Sequence, residues 1–322
     1  MNTILEYQGI LENEIQKISF PKEPANLYDP LTYFLTLGGK RTRPTLAMLG
    51  ANLFGEPGIK ALNAAIAVEL FHNFTLIHDD IMDDAPLRRG MQTVHEKWDT
   101  NVGILSGDAL FVVAYQYLAK HDVDVLPRLL EIFSKTALEV CEGQQMDMDF
   151  ETRDDVSIDE YIEMIRLKTS VLLGAALEMG ATIAKASKED AQHIYDFGMN
   201  IGLAFQIQDD ILDLYADPEK FGKQVGGDVI ANKKTYLQLS AYQHASETTH
   251  GTLKTLETET DLAEKVSQVR SIFDEIGVRE MAEQKKEEFY QNALTAMEKI
   301  NVPAANKENL LGLAKMLMSR EV

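Results

Sequence analysis

From about Ile59 to Asp84 apolar and small residues run almost unbroken. A helix of roughly 25 residues covers about 37 Å at the helical rise, enough to cross a whole domain. A helix that is apolar all round belongs in the centre of a fold. This one ends in His78-Asp79-Asp80-Ile81-Met82-Asp83-Asp84, followed by Pro86 and the pair Arg88-Arg89. Helical spacing points Asp79 and Asp83 the same way, sets Asp80 beside Asp79 and stacks Asp84 on Asp80. Like charges so placed repel, and a divalent cation between the carboxylates is the simplest remedy. The same i, i+1, i+4 pattern returns at Asp209-Asp210-Ile211-Leu212-Asp213, inside another apolar stretch with Leu203, Phe205 and Ile207.

The remainder reads as helices from end to end. Asp29-Pro30 is expected to cap and open a helix through Tyr33, Phe34 and Leu37 that Gly38-Gly39 stops. Pro44 opens another, closed by Gly55. Helical spacing continues over Asn101 to Lys120 and Pro127 to Phe150. Ser157 to Glu160 and Ser187 to Asp190 are capping-box starts for the helices holding Lys168 and Phe197 to Leu214. Asp217-Pro218 ends the latter, and a glycine-rich loop runs from Phe221 to Asp228. Charged helical segments from Leu253 to Met318 are punctuated by Gly277 and Pro303. No alternating strand pattern and no short repeat is visible. The expected fold is all-α, one domain spanning residues 1–322.

Composition narrows the function. With 45% hydrophobic and 25% charged residues the chain is an ordinary globular one, and 322 residues bury a substantial core. A formal net charge of -20 argues against a nucleic-acid partner, because nothing in the sequence resembles an extended basic footprint. One cysteine, Cys141, forms no internal disulfide, fits a reducing compartment, and is expected to be a small buried side chain. The start lacks the basic and apolar regions of a signal peptide, and Glu178 breaks the nearest approach to a membrane span. A cytoplasmic location is expected.

Aspartates without His or Cys at ligand spacing favour a hard ion, Mg2+ before Ca2+, and argue against zinc. An EF-hand is excluded, since its ligands alternate along a loop. Mg2+ uses few carboxylates and completes its shell with water and phosphate oxygens, so a phosphorylated substrate is expected. The basic residues are grouped accordingly, at Lys40-Arg41-Thr42-Arg43, Arg88-Arg89, Lys223 and Lys233-Lys234.

These stretches resemble the trans-isoprenyl diphosphate synthases, the short-chain polyprenyl synthetase family. Gly38 to Pro44 is similar to the family's isopentenyl diphosphate loop. Asp79 to Asp83 with Arg88-Arg89-Gly90 resembles its first aspartate-rich motif, and Phe205-Gln206 with Asp209 to Asp213 the second. Gly222 to Asp228 and Lys233-Lys234-Thr235 are similar to its closing loop and following lysine. The motifs keep the family's order from residue 38 to 235.

The resemblance implies helices around a central active-site cavity and a condensation of isopentenyl diphosphate with an allylic diphosphate. It implies that Lys40, Arg43, His72 and Arg89 hold isopentenyl diphosphate, and that Arg88, Lys168, Lys223 and Lys233 grip the allylic diphosphate. Asp79, Asp83 and Asp209 become the principal Mg2+ ligands, with Asp80, Asp210 and Asp213 as direct or water-mediated partners. Thr169 and Gln206 face the reacting carbons. Asp84 falls outside the matched motif and reads as a helix-end charge. A homodimer through the Asn101 to Lys120 region is also implied.

In the family, residues four and five before the first Asp help to floor the tail pocket, here Thr75 and Phe74, with Phe71 one turn deeper. One aromatic there resembles synthases that stop at twenty carbons, so geranylgeranyl diphosphate is the expected product and farnesyl diphosphate the alternative. A class I terpene cyclase would need an Asn/Ser/Glu second metal motif and lack the Lys40 to Arg43 loop. A non-catalytic subunit of a heteromeric synthase usually lacks one aspartate motif, whereas both are present.

Overall fold

The computed structural model describes residues 2–216 and 225–319. Helix makes up 78% of the described residues, which decides the all-α class. In chain order the helices are α1 (Asn2–Gln16), α2 (Ala25–Thr36), α3 (Thr42–Leu53), α4 (Leu62–Met82), α5 (Val94–Lys97), α6 (Thr100–Leu118), α7 (Leu126–Glu151) and α8 (Ile158–Ile165). They continue as α9 (Val171–Ile183), α10 (Lys188–Tyr215), α11 (Gly227–Ile230), α12 (Tyr236–His244), α13 (Glu247–Leu256), α14 (Leu262–Ile276), α15 (Val278–Lys299) and α16 (Ala304–Met318).

Two compact units are formed, each from separated stretches of chain. The first takes the described residues of Met1–Ala137, Ala175–Tyr195 and Asn301–Leu310, the second those of Leu138–Gly174, Asp196–Ile300 and Leu311–Val322. In the first, α4 is the buried axis. Residues 64–71 are all buried, and the helix packs along α6 and α3. Burying a side chain such as Leu70 or Phe71 there stabilises by about 1.5–3 kcal/mol. In the second, Met164, Ile165, Leu203, Ile207, Ile211, Leu237, Phe273 and Phe289 share one core, in which α10 places the apolar face of the second aspartate motif.

Several expectations are met in detail. The Ser157 hydroxyl accepts from the Glu160 amide and the Glu160 carboxylate accepts from the Ser157 amide, the reciprocal capping pair that starts α8. The Ser187 hydroxyl likewise accepts from the Asp190 amide.

Others are corrected. Asp29 is no cap: α2 begins at Ala25, and Pro30 sits inside it. That position forfeits one hydrogen bond, and the burial of Pro30 with Leu31, Phe34 and Leu35 offsets it. A short antiparallel hairpin, β1 (Leu87–Arg88) with β2 (Met91–Gln92), interrupts the helices, pairing Leu87 with Gln92 and Arg88 with Met91. Two-residue strands are too short to show alternation. Cys141 is exposed rather than buried. The buried stripe of α7 runs through 133, 136, 137, 140 and 143, and Cys141 falls one position outside it. The helix of the first aspartate motif ends at Met82 and Asp84 turns left-handed at φ 49°, so Asp84 does not stack on Asp80.

Candidate active site

In the first unit the loop between α2 and α3 is shaped by Gly38 at φ 74°, Gly39 at φ 153° and Arg41 at φ 48°. Arg41 is buried, donating from Nε to Glu12 at 2.9 Å and from Nη1 to Glu69 at 2.5 Å. Burial works against its charge, but the facing Glu69 and Glu12 outweigh it and hold the guanidinium protonated. This anchor leaves Lys40 exposed, its carbonyl accepting from Gln8 Nε2 at 2.8 Å. Arg43 Nη1 lies 3.1 Å from His72 Nε2. Burial, and then the charges of Arg43 and Arg89, hold His72 well below the usual imidazole range, so it is a neutral acceptor for Arg43. Arg89 packs over Gly39, where an added Cβ would meet its Nη1 at 3.1 Å. Lys40, Arg43, His72 and Arg89 thus belong to one neighbourhood.

At the end of α4, Asp79 is half-buried and Asp83 is exposed as the C-cap residue. Asp80 is buried, and Arg88 donates to its Oδ1 from both Nε and Nη2 at 2.7 Å. Burial pushes its carboxyl upward and Arg88 opposes that rise. The other oxygen, Oδ2, is buried without a partner. Below the motif, Phe74 stacks on Phe111 of α6 at 4.9 Å, and Phe71 contacts Phe74, Phe111 and Phe133. The Thr75 hydroxyl donates to the His72 carbonyl at 2.8 Å.

In the second unit, residues Arg166–Ser170 form one π-helical turn between α8 and α9. Two glycines make room for it. A Cβ on Gly143 would sit 2.2 Å from Lys168 N, and one on Gly202 would sit 2.7 Å from Ser170 Cα. A π turn inside a helix commonly marks a functional position, and this one carries Lys168 and Thr169. Lys168 Nζ meets Asp147 at 2.5 Å, and the Thr169 hydroxyl donates to Gln206 Oε1 at 3.4 Å.

Asp210 is buried. Its Oδ2 accepts from the Tyr161 hydroxyl at 2.5 Å and from the Tyr236 amide at 3.2 Å, and Oδ1 accepts from Gln206 at 3.4 Å. Burial pushes its carboxyl up to about 8 even though these donors favour the charged form. Asp209 and Asp213 are half-buried, and Asp213 Oδ2 accepts from the Asp228 amide at 3.0 Å. Burial, then the charge of Asp213, pushes Asp228 up to about 6, opposed by Lys233. Lys223, with the rest of Gly222 to Gln224, lies outside the described residues.

Sequence reasoning grouped Arg41 with the phosphate-binding cations, whereas it is buried against Glu12 and Glu69, and it left Asp147, Tyr161 and Asp228 without roles. Asp228 had a signal in the glycine-rich stretch it closes; Asp147 and Tyr161 had none, being far in sequence from the side chains they meet.

The donors fit a hard cation. Each motif offers carboxylates alone, with one buried unpartnered oxygen on Asp80. Within either unit, the expected aspartates do not close into a compact three-donor cage among the described residues.

The polyprenyl synthetase family model matches residues 24–276. A geranylgeranyl diphosphate synthase from Methanosarcina mazei is 46% identical over 223 residues, covering 68% of this chain and 68% of that one. A geranylfarnesyl diphosphate synthase from Natronomonas pharaonis is 38% identical over 262 residues, 74% of this chain and 76% of that one. The crystal structure of a geranylgeranyl pyrophosphate synthase superimposes with a TM-score of 0.94 at 47% identity, covering 100% of both chains.

Proposed function

The chain belongs to the polyprenyl synthetase family and is a trans-prenyltransferase, and we propose that it condenses isopentenyl diphosphate with allylic diphosphates to make geranylgeranyl diphosphate. The observation that carries this reading is the anchored loop. Arg43, neutral His72 and Arg89 surround one another beside exposed Lys40, a cationic cradle with no purpose in a cyclase that takes one diphosphate. Lys40, Arg43, His72 and Arg89 hold isopentenyl diphosphate. Arg88, Lys168, Lys223 and Lys233 serve the allylic diphosphate.

Mg2+ is the cofactor of this reading, with Asp79, Asp83 and Asp209 as principal ligands and Asp80, Asp210 and Asp213 acting directly or through water. When bound, it adds charge stabilisation to the diphosphate oxygens. The arginines and lysines stabilise the negative charge that develops as the allylic carbon–oxygen bond breaks. Thr169 and Gln206, already hydrogen-bonded to each other, face the resulting carbocation. The double bond of isopentenyl diphosphate attacks that cation, held close by its own clamp while water is excluded. By analogy with the family, the proton then lost goes to the released pyrophosphate.

Phe74, backed by Phe111 and Phe71, floors the tail pocket with Thr75. We place the protein in the cytoplasm as a homodimer of residues 1–322 acting as one polyprenyl synthetase domain. The family match running through both units supports the single domain. The exposed Leu105 and Val112, seven residues apart on α6, support a partner on that helix. No helix among the described residues is long and apolar enough to cross a membrane.

The test is to incubate purified protein with isopentenyl diphosphate, dimethylallyl diphosphate and Mg2+ and to chromatograph the products. A twenty-carbon diphosphate is expected. A fifteen-carbon end product would make it the farnesyl enzyme, and no elongation at all would end the prenyltransferase reading.

A further inference from the structure

Beyond the first aspartate motif lies a trio of side chains that prenyl transfer does not use. Asp84, His95 and Glu96 each offer a donor atom, and the three atoms lie within 4.8 Å of one another. Among the described residues no other trio of His, Cys, Asp or Glu donors is so close. A second observation is independent of that clustering. The His95 side chain is only 7% exposed, and neither Nδ1 nor Nε2 has a hydrogen-bond partner. Nε2 points at the trio, 3.9 Å from Glu96 Oε1. A buried imidazole with both nitrogens lacking a hydrogen-bond partner is unfavourable, and a cation accepting the one lone pair satisfies one of the two.

We propose that Asp84, His95 and Glu96 bind a borderline divalent transition cation, Zn2+ by class, at the far end of the first aspartate motif. There His95 also acts on the buried Asp80 carboxyl. One imidazole nitrogen with two carboxylates is a zinc-type donor set, whereas Mg2+ is poorly served by nitrogen. Metal bonds of about 2.0–2.2 Å bring tetrahedral donors to roughly 3.4 Å apart. The exposed side chains of Asp84 and Glu96 supply the rotation that closes the remaining gap.

The position gives the site a purpose. Asp84 precedes the β1–β2 hairpin and His95-Glu96 follow it, so a bound ion ties the two ends of the segment that carries Arg88 and Arg89. Closing that segment holds the two arginines in place without touching substrate. Lys97 points elsewhere, its Nζ 3.6 Å from the Tyr33 ring centroid, and does not compete for the carboxylates.

The experiment reads metal, not turnover, so it stands apart from the prenyl-transfer reading. Chelator-treated full-length protein is titrated with Co2+, followed by its visible absorption, and with Zn2+, followed by fluorescence of Trp98, the only tryptophan. Wild type is expected to bind one equivalent that excess Mg2+ does not displace, with a rise in thermal midpoint. His95→Asn should lose that equivalent and the midpoint rise. Glu96→Gln, an exposed change that leaves packing intact, should weaken binding at least about tenfold. If wild type binds no Mg2+-resistant equivalent, or if Glu96→Gln binds as tightly as wild type, the site does not exist.

Discussion

The two aspartate motifs share their spacing, yet their second aspartates are held in opposite ways. Asp80 faces a guanidinium, with Arg88 donating twice to one oxygen. Asp210 faces only neutral donors, the Tyr161 hydroxyl, the Tyr236 amide and the Gln206 side chain. Both carboxyls are buried and both are pushed upward, but only Asp210 reaches about 8. A guanidinium favours the charged form of a buried carboxyl more strongly than neutral donors do, and the Asp228 carboxylate adds to the rise at Asp210. Motifs of the same spacing therefore set their second aspartates in different electrostatic surroundings before any cation binds.

The largest effect should treat the motifs alike. Asp79→Ala and Asp209→Ala are each expected to lower turnover by about a hundredfold or more with the fold intact, since each removes several kcal/mol of charge stabilisation. Measured kcat with circular dichroism checks this; near-normal activity of either purified variant would remove it from the metal ligands.

Next comes the contrast itself. Asp80→Asn strips the charge facing Arg88 and is expected to cost about 1–3 kcal/mol in chemical unfolding at neutral pH. Asp210→Asn replaces a carboxyl that is already largely protonated there and is expected to cost under about 1 kcal/mol. Equal losses would erase the distinction.

Acidity sharpens the same point. In chelator-treated protein the folded state keeps the Asp210 proton up to about 8, whereas the unfolded chain releases it near the ordinary 3.8. The native state thus binds more protons across that window, so this contribution to stability is full below about pH 4 and is lost as pH rises toward 8. Asp228, at about 6, adds a smaller loss of the same sign. The gap between wild-type and Asp210→Asn thermal midpoints should shift in favour of Asn from pH 5 to pH 8, while Asp80→Asn should drift in the same direction by a smaller amount.

The smallest effect on rate concerns the turn before the first motif. Phe74→Ala removes a stacked ring worth about 0.5–1.5 kcal/mol beyond its buried area and should lengthen the products while changing kcat little. Unchanged chain length on chromatography would show that Phe74 is core packing and nothing more.

Much was legible because it depended on neighbours in sequence. Helical spacing put Asp79 and Asp83 on one side of α4, the Ser157 to Glu160 pattern predicted the start of α8, and Gly38-Gly39 predicted the break before α3. Illegible features involved partners far along the chain. Nothing near Arg41 announces that Glu12 and Glu69 will bury it, and nothing near Lys168 announces Asp147 or the π turn that Gly143 and Gly202 admit. Pro30 misled because a proline that starts helices elsewhere is carried here by the burial of its neighbours.

The sequence by itself determined the helical class, the two carboxylate motifs and the cationic loop, since periodicity and residue chemistry are local properties. Only the tertiary structure decided which second aspartate faces a guanidinium, which histidine is a neutral acceptor and which lacks a hydrogen-bond partner. Those outcomes follow from burial and from partners that meet only on folding: Arg88 for Asp80, Tyr161 for Asp210, Arg43 for His72, and for His95 none.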